Sequence, residues 1–207
     1  MLTDRLANRM IREWHTRPLR WSGGAQFVDD RLPFFEAVLQ RTRQPVSYLE
    51  FGVYRGDGLR WWLEHLSPES RLFGFDSFQG LPEDWIAGHE KGHFSTGGQP
   101  PDIAAPNLEF VVGWYQDTLA PWLDANRETL REKPPLVNID CDLYAPAALV
   151  LETLREQWTP GTLVMFDEFW FRHDEYKALR DFCRRHGRRY RLVVVGEGQG
   201  RVAIEWQ

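Results

Sequence analysis

Two apolar runs in this chain end abruptly in carboxylates. Leu136-Val137-Asn138-Ile139-Asp140-Cys141-Asp142 closes on Asp140 and Asp142, and Leu163-Val164-Met165-Phe166-Asp167-Glu168 closes on Asp167 and Glu168. Each run reads as a buried strand, and the carboxyl ends of strands in an open α/β sheet are where ligands bind. Clustered carboxylates repel one another unless something positive sits among them. A hard divalent cation such as Mg²⁺ answers that need, with Asp140, Asp167 and Glu168 as three oxygen ligands and the remaining positions free for substrate and water. A metal on a sugar or phenol hydroxyl lowers its pKa and orients it for attack. The bland alternative is a set of helix caps and surface salt bridges. Asp142 is open between ligand, orienting group and cap.

A second group of residues is suited to a nucleoside. In Tyr48-Leu49-Glu50-Phe51-Gly52-Val53-Tyr54-Arg55-Gly56-Asp57-Gly58 a strand runs into a glycine-rich turn that opens a helix. Glycine there permits a sharp turn and close approach to a ligand. The spacing is not that of a dinucleotide loop, and Glu50 would repel a pyrophosphate. The same acid suits S-adenosylmethionine, which carries an ammonium and a sulfonium. Asp76, closing Gly74-Phe75-Asp76-Ser77-Phe78, can accept both hydroxyls of a ribose, or can simply cap a turn. His173 follows the second acidic pair and could act as a base, as could His89 and His93 if their loop closes, although a lone loop histidine is more often a surface residue. Arg180, Arg184, Arg185, Arg188, Arg189 and Arg191 read as a solvated face.

The elements that must position these groups alternate. Strands are expected at 46–53, 71–75, 108–112, 136–139, 162–166, 190–195 and 201–206, with helices at 58–66, 117–131, 145–157 and 174–186 between them. Such alternation implies βαβ units and a mostly parallel, doubly wound, Rossmann-like sheet of seven strands. The last two runs are joined too tightly for a crossover, so the last strand is antiparallel. Helices are expected at 4–15 and 29–43, with a linker at 16–28, so residues 1–45 form an N-terminal helical segment and residues 46–207 the main domain. Residues 77–106 are a long insertion without periodicity, read as a lid or substrate loop because it follows a strand at the ligand edge. Its apolar residues Phe78, Leu81, Trp85, Ile86 and Phe94 argue for docking.

With 207 residues the chain supports one substantial α/β domain. Its net charge of −5 argues against a nucleic-acid partner. No run is apolar enough to span a bilayer, and the N-terminus has no signal-peptide core. Cys141 and Cys183 make no disulfide framework, so a cytoplasmic setting is the default. Ten tryptophans should serve mostly as packing, with some free to line a pocket. The oligomeric state is open, a homo-oligomer included.

Taken together, Glu50-Phe51-Gly52-Val53, Phe73-Gly74-Phe75-Asp76-Ser77-Phe78-Gln79-Gly80-Leu81-Pro82-Glu83, Gly113-Trp114-Tyr115-Gln116-Asp117-Thr118-Leu119, Ile139-Asp140-Cys141-Asp142-Leu143-Tyr144 and Phe166-Asp167-Glu168-Phe169 resemble the macrocin O-methyltransferase (TylF-type) family. The resemblance runs from about residue 48 to about 176 and extends to Lys91-Gly92-His93-Phe94-Ser95 in the insertion. It implies a class I methyltransferase fold, S-adenosylmethionine and a divalent metal as cofactors, and a small-molecule acceptor, glycosylated, in natural-product biosynthesis. By position it implies Glu50, Gly52, Tyr54 and Gly56 in the cofactor loop, Asp76 on the ribose, Ser77 and Trp114 near the adenine, and Asp140, Asp167 and Glu168 on Mg²⁺, with Asp140 also a candidate general base. Related catechol-type enzymes usually carry a lysine base just after the first aspartate. Here the stretch is Cys141-Asp142-Leu143-Tyr144, which weighs against a phenolic acceptor. The clustered acids weigh against a non-catalytic binding module. Gly58 stands where these enzymes often have a serine for the methionine carboxylate, so that contact needs another donor.

Overall fold

The computed structural model describes residues 24–196 and 200–207; the helix expected at 4–15 lies outside them. Among the described residues the chain forms strands β1 (Gln26–Val28), β2 (Ser47–Phe51), β3 (Arg71–Asp76), β4 (Leu108–Val112), β5 (Pro135–Ile139), β6 (Leu163–Phe166), β7 (Tyr190–Gly196) and β8 (Val202–Trp206). The helices are α1 (Arg31–Leu39), α2 (Asp57–His65), α3 (Tyr115–Glu132), α4 (Tyr144–Thr153) and α5 (Glu175–His186), with one 3₁₀ turn at Arg155–Gln157. The sheet order is β1-β7-β8-β6-β5-β2-β3-β4. Every neighbouring pair is parallel except those made by β8, which runs antiparallel to both β6 and β7. From β2 the chain winds outward to β3 and β4, then crosses back to β5 and β6. The reversal of winding therefore falls between β2 and β5, where a doubly wound sheet opens a crevice.

The expected doubly wound fold with its antiparallel last strand is present, with one strand more than the seven expected. Three residues of the stretch read as linker form β1, which pairs with β7 at the sheet edge. A three-residue strand is too short to show a period of two, and its partner lies far along the chain. Residues 26–39 thus pack as part of the main domain. β8 inserts between β6 and β7 rather than closing an edge.

Alternation along the buried strands sorts the core into two layers. Leu49, Phe51, Val137, Ile139, Val164 and Phe166 face α3, α4 and α5. Tyr48, Leu136, Leu163 and Met165 face α1 and α2, where they meet Phe34, Phe35 and Trp62. The Trp62 ring stacks at 5.1 Å from Tyr48 and 5.3 Å from Phe35. Fully burying a side chain of this kind stabilises the fold by roughly 1.5–3 kcal/mol. The same period carries Glu50, Asp140 and Asp167 to the α1/α2 face at the carboxyl edge of the sheet.

Between β3 and β4 the chain has neither helix nor strand. The insertion is nonetheless docked. Phe78 and Leu81 are buried, Trp85 Nε1 donates to Asp174 Oδ2 at 3.1 Å, and the Trp85 ring lies 5.1 Å from Phe171.

Candidate active site

The glycine turn after β2 is held by contacts that only its sequence allows. Gly52 has φ +95, and a Cβ there would fall 1.7 Å from the Asp140 carbonyl oxygen. A glycine thus lets the β2 turn lie directly against the acidic end of β5. Asp76 clamps the same turn. Its Oδ2 accepts from the Val53 and Tyr54 N–H groups, both at 2.9 Å, and its Oδ1 accepts from Phe78 N–H at 2.7 Å. A carboxylate has about four acceptor positions, so one remains on Oδ1 for a hydroxyl.

Glu50 is buried beneath this turn with 2% of its surface exposed. The Tyr48 hydroxyl donates to its Oε2. Burial raises the Glu50 carboxyl to about 7, against the opposing effects of the Tyr48 hydrogen bond and the Arg31 charge. Its oxygens press on Gly58, where a Cβ would come within 2.8 and 2.9 Å of them.

The acids at the ends of β5 and β6 sit in adjacent rows. Asp140 N–H donates to Phe51 O at 2.8 Å, and Asp167 N–H to Ile139 O at 3.2 Å. Burial raises Asp140 well above the usual aspartate range, and Asp167, Asp142 and Glu175 add to this. Asp142 rises to about 7 through burial and the neighbouring Asp167, and Glu168 to about 7 for the same two reasons. Such shifts come first from burial of the carboxyls and then from repulsion between neighbouring acids.

Three residues shape this cluster that the sequence did not single out. Glu175, fully buried at the start of α5, accepts from Cys141 N–H at 3.0 Å and Asp142 N–H at 3.2 Å through Oε1, and from Glu168 N–H at 3.2 Å through Oε2. One carboxylate therefore ties the turn after β5 to the turn after β6. Arg201 Nη2 donates to Asp167 Oδ2 at 3.1 Å, and an ion pair closes through Nε and Oδ1. Because β8 runs antiparallel, its leading residue arrives at the edge where the parallel strands end. Arg31 reaches the same edge because β1 is parallel and α1 begins just beyond it. The Asp-Glu-Tyr start of α5 looks like an ordinary cap, and the two arginines carry no local signal.

Arg31, the glycine turn and the acids at the strand ends line one cavity of about 780 Å³, while Glu175 and Arg201 are outside its lining. Glu50, Gly52, Tyr54, Asp76, Ser77 and Trp114 line it, as do Asp140, Asp142, Asp167 and Glu168. The insertion roofs it with Trp85, His89 and Phe94. Gly56 is not in the lining; it is the left-handed N-cap of α2, packed against Pro101 and Ile103. His173 is exposed and also outside the lining. Among the described residues no three His, Cys, Asp or Glu side chains are gathered to hold a metal ion.

The sequence of residues 49–169 matches the family described as methyltransferase domain. The chain belongs to that family. As a methyltransferase it calls for a methyl donor, and S-adenosylmethionine is the one this membership supports. No curated protein sequence matches it. Solved structures with a similar fold include CalS11, a calicheamicin methyltransferase, at 20% identity over 99% of this chain and 81% of that one, with a TM-score of 0.62. A second structure of CalS11, there called TDP-rhamnose 3'-O-methyltransferase, aligns at 23% identity over 84% of this chain and 78% of that one, with a TM-score of 0.59. The O-methyltransferase NovP aligns at 20% identity over 84% and 76%, with a TM-score of 0.60. MycE of the mycinamycin pathway, solved with Mg and SAH, aligns at 16% identity over 84% of this methyltransferase and 49% of its own chain, with a TM-score of 0.51. At these identities the likeness establishes the class I methyltransferase fold. No helix among the described residues is long and apolar enough to cross a membrane.

Proposed function

We propose that this methyltransferase transfers a methyl group from S-adenosylmethionine to a hydroxyl of a sugar or sugar-bearing natural product, with Mg²⁺ or a similar divalent cation held by Asp140, Asp167 and Glu168. The observation that carries the reading is the Gly52–Asp140 contact, which joins a nucleoside-type glycine turn to an acidic edge within one cavity. The donor end fits by charge: Glu50 is a buried acid beneath the turn and Asp76 keeps one acceptor position free. The metal fits by donor type rather than by present arrangement: all three groups are hard oxygens lining the cavity, although they are not gathered around one point. Arg201 already engages Asp167, so that carboxylate would serve an ion and a guanidinium together.

S-adenosylmethionine supplies a methyl on a positively charged sulfur, and Mg²⁺ supplies the charge that acidifies the acceptor hydroxyl. The residues of the chain do the rest. Glu175 fixes the two acidic turns relative to each other. Asp140 would take the hydroxyl proton, and the acceptor oxygen would attack the methyl carbon as the carbon–sulfur bond breaks. Trp85, His89 and Phe94 exclude water from above. Catalysis is then mainly positioning and charge stabilisation. CalS11, called a TDP-rhamnose 3'-O-methyltransferase, supports a sugar acceptor. The stretch after Asp140, which lacks a lysine, disfavours a catechol.

The test is methyl transfer from labelled donor to two acceptor panels, sugar nucleotides and catechols, with Mg²⁺ and with EDTA. Turnover on the sugar panel that EDTA and Asp167→Ala each abolish is expected. Turnover that survives both removes the metal from the reading, and turnover on catechols alone replaces the acceptor class.

A further inference from the structure

We propose that Arg31 binds the carboxylate at the methionine end of the donor, the contact for which residue 58 has no side chain. The inference rests on S-adenosylmethionine being the donor. That ligand carries an ammonium and a carboxylate on one carbon. An acidic pocket suits the first and repels the second, so a site built around Glu50, Asp76 and Asp140 needs a cation beside Glu50.

A side chain at position 58 would have to displace the Glu50 carboxylate. The Glu50 carboxylate occupies the space where a Cβ would stand, at 2.8 and 2.9 Å. Glycine at 58 leaves the Glu50 carboxylate undisturbed and offers no side chain, so a side-chain partner for the donor carboxylate comes from elsewhere.

The cations in the cavity lining divide cleanly. Arg55 is exposed, with its guanidinium 5.0 Å from the Tyr54 ring centroid. Arg201 is committed to Asp167 and is not in the lining. Arg31 lines the cavity and lies within electrostatic reach of Glu50, Asp140 and Asp167. Its Nε is buried without a hydrogen-bond partner, and its guanidinium rests 5.3 Å from the Phe35 ring centroid. The fold accounts for this placement. Alternation in β2 turns Glu50 toward the layer formed by α1 and α2, and Arg31 is the first residue of α1. A guanidinium that lines the cavity, couples to Glu50 and has an unpartnered buried Nε can offer a charged donor to a carboxylate one carbon from the ammonium.

The experiment compares two ligands on two proteins by calorimetry: S-adenosylhomocysteine and its decarboxylated analogue, in which a hydrogen replaces the carboxylate. For wild type and Arg31→Met, the variant should weaken S-adenosylhomocysteine roughly 10-fold to 100-fold and change the analogue by less than about 3-fold. The analogue doubles as the control for folding. Equal weakening of both ligands, or of neither, overturns the proposal; neither is also the result expected if Arg31 serves an anionic acceptor instead. Should Arg31→Met not fold, Arg31→Lys keeps the charge and loses the fork, and a selective loss of roughly 3-fold or more for S-adenosylhomocysteine is expected. Wild type that binds neither ligand overturns the donor reading itself, a separate outcome.

Discussion

Replacing Glu50 with glutamine should stabilise the ligand-free protein in alkaline solution while impairing its cofactor site. Burial raises the Glu50 carboxyl from the ordinary glutamate value of 4.5 to about 7. A folded pKa above the unfolded one means that the folded state binds more protons between those two values. Stability contributed at this position is therefore full at low pH and is lost as pH rises through the window, reaching a constant penalty above about 7. With about 1.4 kcal/mol per pKa unit, the ionised carboxylate costs the folded state roughly 1 kcal/mol at pH 5.5 and roughly 3 kcal/mol at pH 8. Glutamine fills the same space, stays neutral, and can still accept from the Tyr48 hydroxyl.

The assay is urea unfolding of wild type and Glu50→Gln at pH 5.5 and pH 8. Other raised acids, Asp142 and Glu168 among them, titrate in both proteins, so the comparison at each pH isolates position 50. The variant's advantage should grow by roughly 2 kcal/mol between the two conditions. Calorimetry on the same samples should find S-adenosylhomocysteine bound at least 10-fold more weakly, since a charged partner for its ammonium is gone. A stability difference that stays flat with pH, or that moves toward the wild type, refutes the account of Glu50 as a destabilising charge kept for binding.

Gly52→Ala would drive a methyl into the Asp140 carbonyl at a φ of +95, so a loss of roughly 3 kcal/mol or more and failure of cofactor binding are expected, read by unfolding and calorimetry. Glu175→Gln sets an amide N–H₂ against a backbone N–H on one of the two acidic turns; turnover at saturating donor should fall by 10-fold or more while donor affinity stays within about 3-fold, and an equal loss of both would count against a role confined to those turns. Arg201→Met leaves Asp167 buried without its partner, so a loss of roughly 3–5 kcal/mol is expected, smaller when excess Mg²⁺ is present if the ion shares that carboxylate. Trp85→Ala removes the insertion's tie to Asp174 and Phe171, and should raise the acceptor KM and protease sensitivity of residues 77–106 with little effect on the global unfolding midpoint.

What could be read in the sequence and what could not divides along the range of the interactions involved. Glu50, Asp140 and Asp167 each end or nearly end an apolar strand, and a period of two decides which face they take; that information is local, and the structure puts all three on the α1/α2 face. The glycine turn is likewise announced by its own residues. The cations are another matter. Arg31 reaches the site because a three-residue strand pairs with β7, and Arg201 because β8 inserts antiparallel between β6 and β7. Glu175 meets Cys141 and Asp142 across 34 and 33 residues. None of these pairings leaves a local pattern. A reading from sequence therefore collects the acids and misses their counter-charges, and it overstates how much positive charge the site must import. Arg31 and Arg201 reduce that need: burial, and after it the neighbouring carboxylates, still raise Asp140, Asp142, Glu168 and Glu175 with both arginines in place. A divalent cation would offset the repulsion among these acids but not their burial, so the EDTA comparison, rather than any feature of the glycine turn, decides between a metal-assisted and a purely protein-based transfer.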